Sequence, residues 1–182
     1  MPEDIPEKLF TSGKSKILLL QLEIPIETVE YCASRACENG IKVILNPAPA
    51  QKLPDSLLKK VWLATPNEIE AEELTGISIN DARSADKAAD DLKMKGVKNV
   101  VITLGASGAY VKSRGFTGMV EGIKVDAVDT TAAGDVFNGA LAVALAEEMT
   151  MKDAVIFANK AAAISVTRMG AQTSAPFRNE IS

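Results

Sequence analysis

Two kinds of apolar pattern alternate along the chain. ILLLQL from Ile17, IKVILN from Ile41, VWLA from Val61 and NVVITL from Asn99 are short, nearly unbroken apolar runs, which fit strands buried on both faces. Between them apolar residues recur at helical spacing. A helical pattern opens at Pro25 and runs through VEYCASRACEN to Gly40, a suitable C-terminal stop. NEIEAEELTG and a longer stretch from about Ala82 to Lys95 repeat the pattern, and the proline-broken NPAPAQKLP reads as a loop. Strand and helix in alternation predict an α/β fold with a mostly parallel sheet covered by helices. After NVVITL, GASG turns the chain toward AYVKS; two small strands then follow, and two long helices, Phe137 to Glu148 and Lys152 to Arg168. A short helix-like stretch precedes Ile17. No repeat or low-complexity segment interrupts residues 1–182, and one domain is expected.

Open α/β sheets bind ligands beyond the carboxyl ends of their strands. Glu23, Asn46, Asn67 and Thr103 to Gly108 all fall just after an apolar run, and Asp129 to Asp135 occupy a loop-to-helix junction. Composition narrows the chemistry. The 182 residues carry 20 Lys and Arg against 24 Asp and Glu, a net charge of -4 with both signs scattered. That leaves no basic footprint for nucleic acid or an acidic membrane surface. No apolar run approaches the roughly 20 residues of a membrane span, and MPEDIPEKLF is no signal peptide, so the expected location is cytoplasmic. Histidine is absent, which removes catalytic triads and most zinc sites and leaves Asp, Glu, Lys or Tyr as acids and bases. Cys32 and Cys37, on different sides of one helix, read as packing residues.

The junction VDTTAAGDVFNGAL concentrates the candidate chemistry. Asp135 follows Ala132, Ala133 and Gly134, whose small side chains leave backbone N–H groups uncovered at the positive end of a helix dipole. An aspartate at a helix start is commonly just a cap. A carboxylate beside an anion site weakens simple binding, which suggests that it takes a proton instead. The other candidates each have a plain structural reading. Gly13, Lys14 and Ser15 lack the earlier glycine and following helix of a P-loop and read as a polar turn. TLGASG suits a hairpin turn as well as a nucleotide-hugging loop. Asn67 and Glu70 share one face of a helix start, where Asn67 serves as a cap. Asn159 and Lys160 read as a solvent-facing pair, TRMGAQTSAP as a C-terminal stop and loop, and Glu23 as a solvated acid.

Taken in order, NPAPA, TPNEIEAEELTG, VITLGASG, VDTTAAGDVFNGAL and FANKAAAISVTRMGAQTSAP resemble the ribokinase branch of the PfkB carbohydrate kinase family over nearly the whole chain. The resemblance implies a ribokinase-like three-layer sandwich and an ATP-dependent sugar kinase, most directly one for ribose at its 5-hydroxyl. It makes Asp135 the base and the N–H groups of Ala132, Ala133, Gly134 and Asp135 the anion hole. Thr103, Leu104, Gly105, Ala106, Ser107, Gly108, Asn159 and Asn67 match nucleotide-binding positions, with Glu70 near Mg²⁺ and Glu23 on the sugar. Asp129, Thr131, Ser165, Arg168, Gly170 and Ser174 match the site of an activating K⁺, several through backbone carbonyls. The family pattern usually has Gly where Ala132 stands, and an alanine there is expected at an ordinary negative φ. The family's leading segment, with first strands, lid and a Gly-Gly-Lys signature, has no match here. The lid is therefore expected to be absent, and self-association is expected through the surface left uncovered. A noncatalytic nucleotide-binding or interaction module, and kinases for other sugars or nucleosides, stand as alternatives.

Overall fold

A computed structural model describes residues 1–181. Along the chain the elements are α1 (Lys8–Thr11), β1 (Ile17–Leu20), α2 (Ile26–Glu38), β2 (Lys42–Leu45), α3 (Asp55–Leu58), β3 (Leu63–Ala64) and α4 (Glu68–Thr75). They continue as α5 (Ala82–Met94), β4 (Asn99–Thr103), β5 (Gly108–Lys112), β6 (Thr117–Glu121), α6 (Ala133–Ala146) and α7 (Met151–Val166). The sheet runs β1-β2-β3-β4-β5-β6 in that spatial order, parallel from β1 to β4 and antiparallel thereafter. One of the two small strands expected after AYVKS forms, Thr117–Glu121; residues 122–128 lie outside any strand.

Alternating strand residues build two separate apolar layers, as a two-residue side-chain period requires. Val43 and Leu45 pack with Val29, Ala33, Ala88 and Leu92 of α2 and α5. Ile44 between them packs on the other face with Phe137, Leu141 and Ala158 of α6 and α7. The result is the expected three-layer α/β/α arrangement; β2, β3 and β4 are largely buried on both faces as predicted, whereas Ile17, Leu18 and Leu19 are only half-buried because β1 is an edge strand.

Local signals set the helix ends. Asp81 accepts from Ser84 N at 2.7 Å at the start of α5, and Thr150 accepts from Asp153 N at 3.2 Å at the start of α7. Each bond satisfies a first-turn donor that has no partner within the helix. Gly40 takes φ +70° after α2, and Ile41 N donates back to Ala36 O at 2.9 Å, so the chain turns directly into β2. Cys32 is buried as expected. Cys37 is exposed instead, because it lies in the last turn of α2, where its thiol donates to Lys60 O at 3.3 Å.

Candidate active site

The carboxyl ends of β1 to β4 and the start of α6 enclose a cleft of ≈ 880 Å³. Glu23, Asn46, Asn67, Glu70, Thr103, Gly105, Ala106, Gly108, Asn159 and the turn from Ala132 to Asp135 all line it. The ends of β3 and β4 lie side by side. Thr103 N donates to Pro66 O at 2.9 Å, and Asn67 pairs with Thr103 as an isolated parallel bridge. Leu104 and Ser107 do not line the cleft. The Leu104 side chain packs on the α2 and α5 layer, while its N–H donates to Gly108 O at 2.8 Å.

TLGASG forms the hairpin turn that its sequence allows. It turns β4 antiparallel into β5, and it also forms a wall of the cleft. Gly108 has φ +96°, and a Cβ there would meet Val120 O at 2.2 Å and Gly122 N at 2.3 Å, so only glycine lets the loop lie against the end of β6.

Asp135 is the third residue of α6, and its carboxylate and neighbouring Gly134 are exposed to the cleft. Ala132 is at φ +61°, ψ +10°, the left-handed region, where the expectation was a negative φ. The reversal follows from the entry into the helix. Val136 N donates to Ala132 O at 2.9 Å, so the carbonyl of Ala132 already faces along α6 while Thr131 approaches from outside. Ala133 donates its N–H to Thr130 O at 3.2 Å. Among the described residues this leaves Ala132, Gly134 and Asp135 as the N–H groups of the turn without an acceptor, a smaller set than the four expected. These are donors of the kind that hold anions at helix starts.

Asn67 and Glu70 form a reciprocal cap on α4. Glu70 N donates to Asn67 Oδ1 at 2.8 Å, Asn67 N to Glu70 Oε2 at 2.9 Å, and Asn67 Nδ2 to Glu70 Oε1 at 3.0 Å. The capping reading is thus correct, and the pair faces the cleft as well. Glu70 is only 7% exposed. Burial pushes its carboxyl above the usual range, and the bond from Asn67 N–H opposes that shift only in part. Asn159 is buried rather than solvent-facing, because its amide donates to Glu121 O at 3.2 Å and ties α7 to the end of β6.

The pfkB family carbohydrate kinase model matches residues 7–178. The chain belongs to this family. It is 52% identical to the ribokinase of Haemophilus influenzae over 168 residues, covering 92% of this chain and 55% of that protein. The structure superimposes on a ribokinase from Thermotoga maritima with a TM-score of 0.88 at 43% identity, over 100% of this chain and 59% of the other. An Arabidopsis thaliana ribokinase complexed with ribose and ATP gives a TM-score of 0.87 at 32% identity, covering 91% of this chain and 54% of the other. The chain therefore spans a little over half the length of these pfkB-family relatives.

Beneath the turn from Ala132 to Asp135, Asp129 clamps two segments. Its Oδ1 accepts from Thr131 N and its Oδ2 from Gly170 N, both at 2.9 Å, and Asp129 N donates to Val166 O at 3.1 Å. The Thr131 hydroxyl, followed by the N–H groups of Thr131 and Gly170, holds the Asp129 carboxyl below the usual range. A hard monovalent cation takes carboxylate, hydroxyl and carbonyl oxygens. Asp129, Thr131, Ser165, Gly170 and Ser174 could supply those oxygens. Ser165 and Ser174 are buried, with hydroxyls donating to Ala162 O and Ala171 O at 2.8 Å each. The Arg168 guanidinium pairs with Glu180 at 2.6 Å, so only its backbone carbonyl is suited to a cation. Glu70, partly desolvated, fits a role near Mg²⁺ through water, which that ion retains readily.

Three residues that line the cleft had no sequence signal of their own. Thr65 donates its hydroxyl to Asn138 Oδ1 at 2.6 Å, and Asn138 Nδ2 donates to Gly134 O at 2.9 Å. Both side chains are buried, so the end of β3 is tied to the first turn of α6. Gln21 Nε2 donates to Asp135 Oδ1 at 2.6 Å. Its position two residues after Leu19 would have placed it on the α6 face had that face been known.

Proposed function

We propose that this chain carries the nucleotide site and catalytic base of an ATP-dependent sugar kinase, with ribose as the acceptor. One observation carries the reading: Asp135 lies at a helix start with uncovered N–H groups, in the same cleft as Asn67, Glu70 and the Gly105 to Gly108 loop. The relatives named ribokinase support the choice of sugar.

In this reading the acceptor hydroxyl gives its proton to Asp135 as its oxygen bonds to the γ-phosphorus. The bond from that phosphorus to the β–γ bridging oxygen breaks, and ADP leaves. Charge developing on the transferred group meets the N–H groups of Ala132, Gly134 and Asp135, which the helix start already holds in place. Thr103, Gly105, Ala106, Gly108 and Asn159 bound the nucleotide, and Glu23 reaches the sugar. Mg²⁺ near Glu70 would neutralise triphosphate charge, and K⁺ near Asp129 would steady the turn beneath it. The open edge of β1 and exposed Val143, Ile156 and Phe177 support self-association of the chain.

The test is Asp135→Asn. Ribose-dependent ADP release is followed for the chain alone and with the remaining part of the Haemophilus influenzae relative supplied separately, and ATP binding is followed by calorimetry. Turnover should fall by on the order of 10² to 10⁴ while ATP binding stays. Turnover within a few fold of the unaltered chain would overturn the assignment.

A further inference from the structure

The contact between Gln21 and Asp135 follows from strand geometry. Leu20 and Leu22 are buried in the layer with Val29 and Ala33, whereas Ile17 and Leu19 pack on the opposite layer with Phe137 and Leu141. The two-residue period puts Gln21 in the row of Ile17 and Leu19, one step beyond the strand and level with the start of α6. The backbone on both sides is pinned: Asn46 N donates to Leu20 O at 2.9 Å and Leu22 N to Ala48 O at 2.8 Å. From this fixed base the Gln21 amide reaches Asp135 Oδ1 at 2.6 Å, and both residues line the cleft with Glu23.

We propose that Gln21 is a positioning residue for phosphoryl transfer: its amide holds one carboxylate oxygen of Asp135 and leaves the other to accept the proton of the sugar hydroxyl. The inference rests on Asp135 being the base. A carboxylate at an exposed helix start otherwise turns freely about its two side-chain bonds, and each unproductive rotamer moves the accepting oxygen away from the acceptor. An amide suits the task because it donates to a carboxylate without adding a charge or a competing base. Asn138 does not duplicate this role, since its amide is spent on Gly134 O and its oxygen on Thr65.

The experiment has two arms, with Gln21→Met removing the donor at similar length and Gln21→Lys restoring one. In the first, three-bond NMR couplings report the Asp135 side-chain rotamer in this chain, a readout that needs no turnover. A single rotamer is expected in the unaltered chain and in Gln21→Lys, and averaging in Gln21→Met. In the second, ribose-dependent ADP release is measured as above. Gln21→Met should lower kcat roughly 10- to 100-fold, the scale of losing an aligned reacting group. Its KM for ribose should stay within about 2-fold, because ground-state binding is untouched, and Gln21→Lys should recover the single rotamer but only part of kcat, because it adds the charge that the amide avoids. Averaged couplings in the unaltered chain, or a Gln21→Met variant with unchanged couplings or unchanged kcat, would overturn the proposal. Full turnover in Asp135→Asn would instead remove the base reading while the rotamer result stood, which separates the two failures.

Discussion

Ala132 offers a direct measure of backbone strain at the turn into α6. At φ +61° it occupies the left-handed region, where its Cβ crowds the following carbonyl at a cost of about 1–2 kcal/mol. Ala132→Gly removes that cost. Glycine brings a penalty of its own, about 0.4–1 kcal/mol, through the greater freedom of the unfolded chain. The net expectation is stabilisation centred on about 0.8 kcal/mol and at most about 1.6 kcal/mol, or roughly 2–3 °C in melting temperature at the centre for a chain of this size. Ala133 is the control. It is the first residue of α6, so Ala133→Gly adds the entropy penalty without relieving strain and should destabilise by up to about 1 kcal/mol. Urea unfolding of the two variants and the unaltered chain, fitted with a common m-value, supplies the comparison. The two substitutions should differ in sign. Equal destabilisation by both would refute the claim that Ala132 is strained. A gain in stability with loss of ATP affinity in Ala132→Gly would further indicate that the stiffness of alanine helps hold the turn.

Thr65→Val removes the hydroxyl that satisfies buried Asn138, and should cost about 1–3 kcal/mol in urea unfolding, with Thr65→Ser recovering most of it. The pH dependence of stability should change in Glu70→Gln. Because burial raises the folded-state pKa of Glu70 above its ordinary 4.5, the folded form holds its proton more tightly, and stability falls as pH rises from 4.5 through that raised value. Gln has no proton to lose, so a plot of unfolding free energy against pH should lack that decline, and parallel curves for the two proteins would count against the shift. Potassium should tighten ATP binding or raise turnover where an equal concentration of a bulky organic cation does not, with ionic strength matched. Asp129→Ala should abolish the difference, and identical titrations in both salts would exclude the cation site.

Much of the architecture was legible because it depends on local chemistry. Four nearly unbroken apolar runs separated by helical spacing predict a sheet covered on both faces, and Gly40 marks a helix end by means that involve only near neighbours. The uncovered N–H groups of the turn into α6 were legible for the same reason: small residues before a helix leave such groups bare wherever that helix lies. The tertiary structure decided the rest. Asn67 with Glu70 reads equally as a cap or as a ligand pair, and only the adjacent ends of β3 and β4 place that cap inside a cleft. Asn159 appeared free to face solvent until β6 was laid against α7. Ala132 defied its residue preference because the chain must reverse to enter α6, a demand set by where Asp129 anchors the loop to Gly170. Gln21 carried no signal because a glutamine after a strand is ordinary. Which face of β1 receives α6, and therefore that Gln21 meets Asp135 more than a hundred positions away, follows from packing two apolar layers on one sheet, a condition that no local segment encodes.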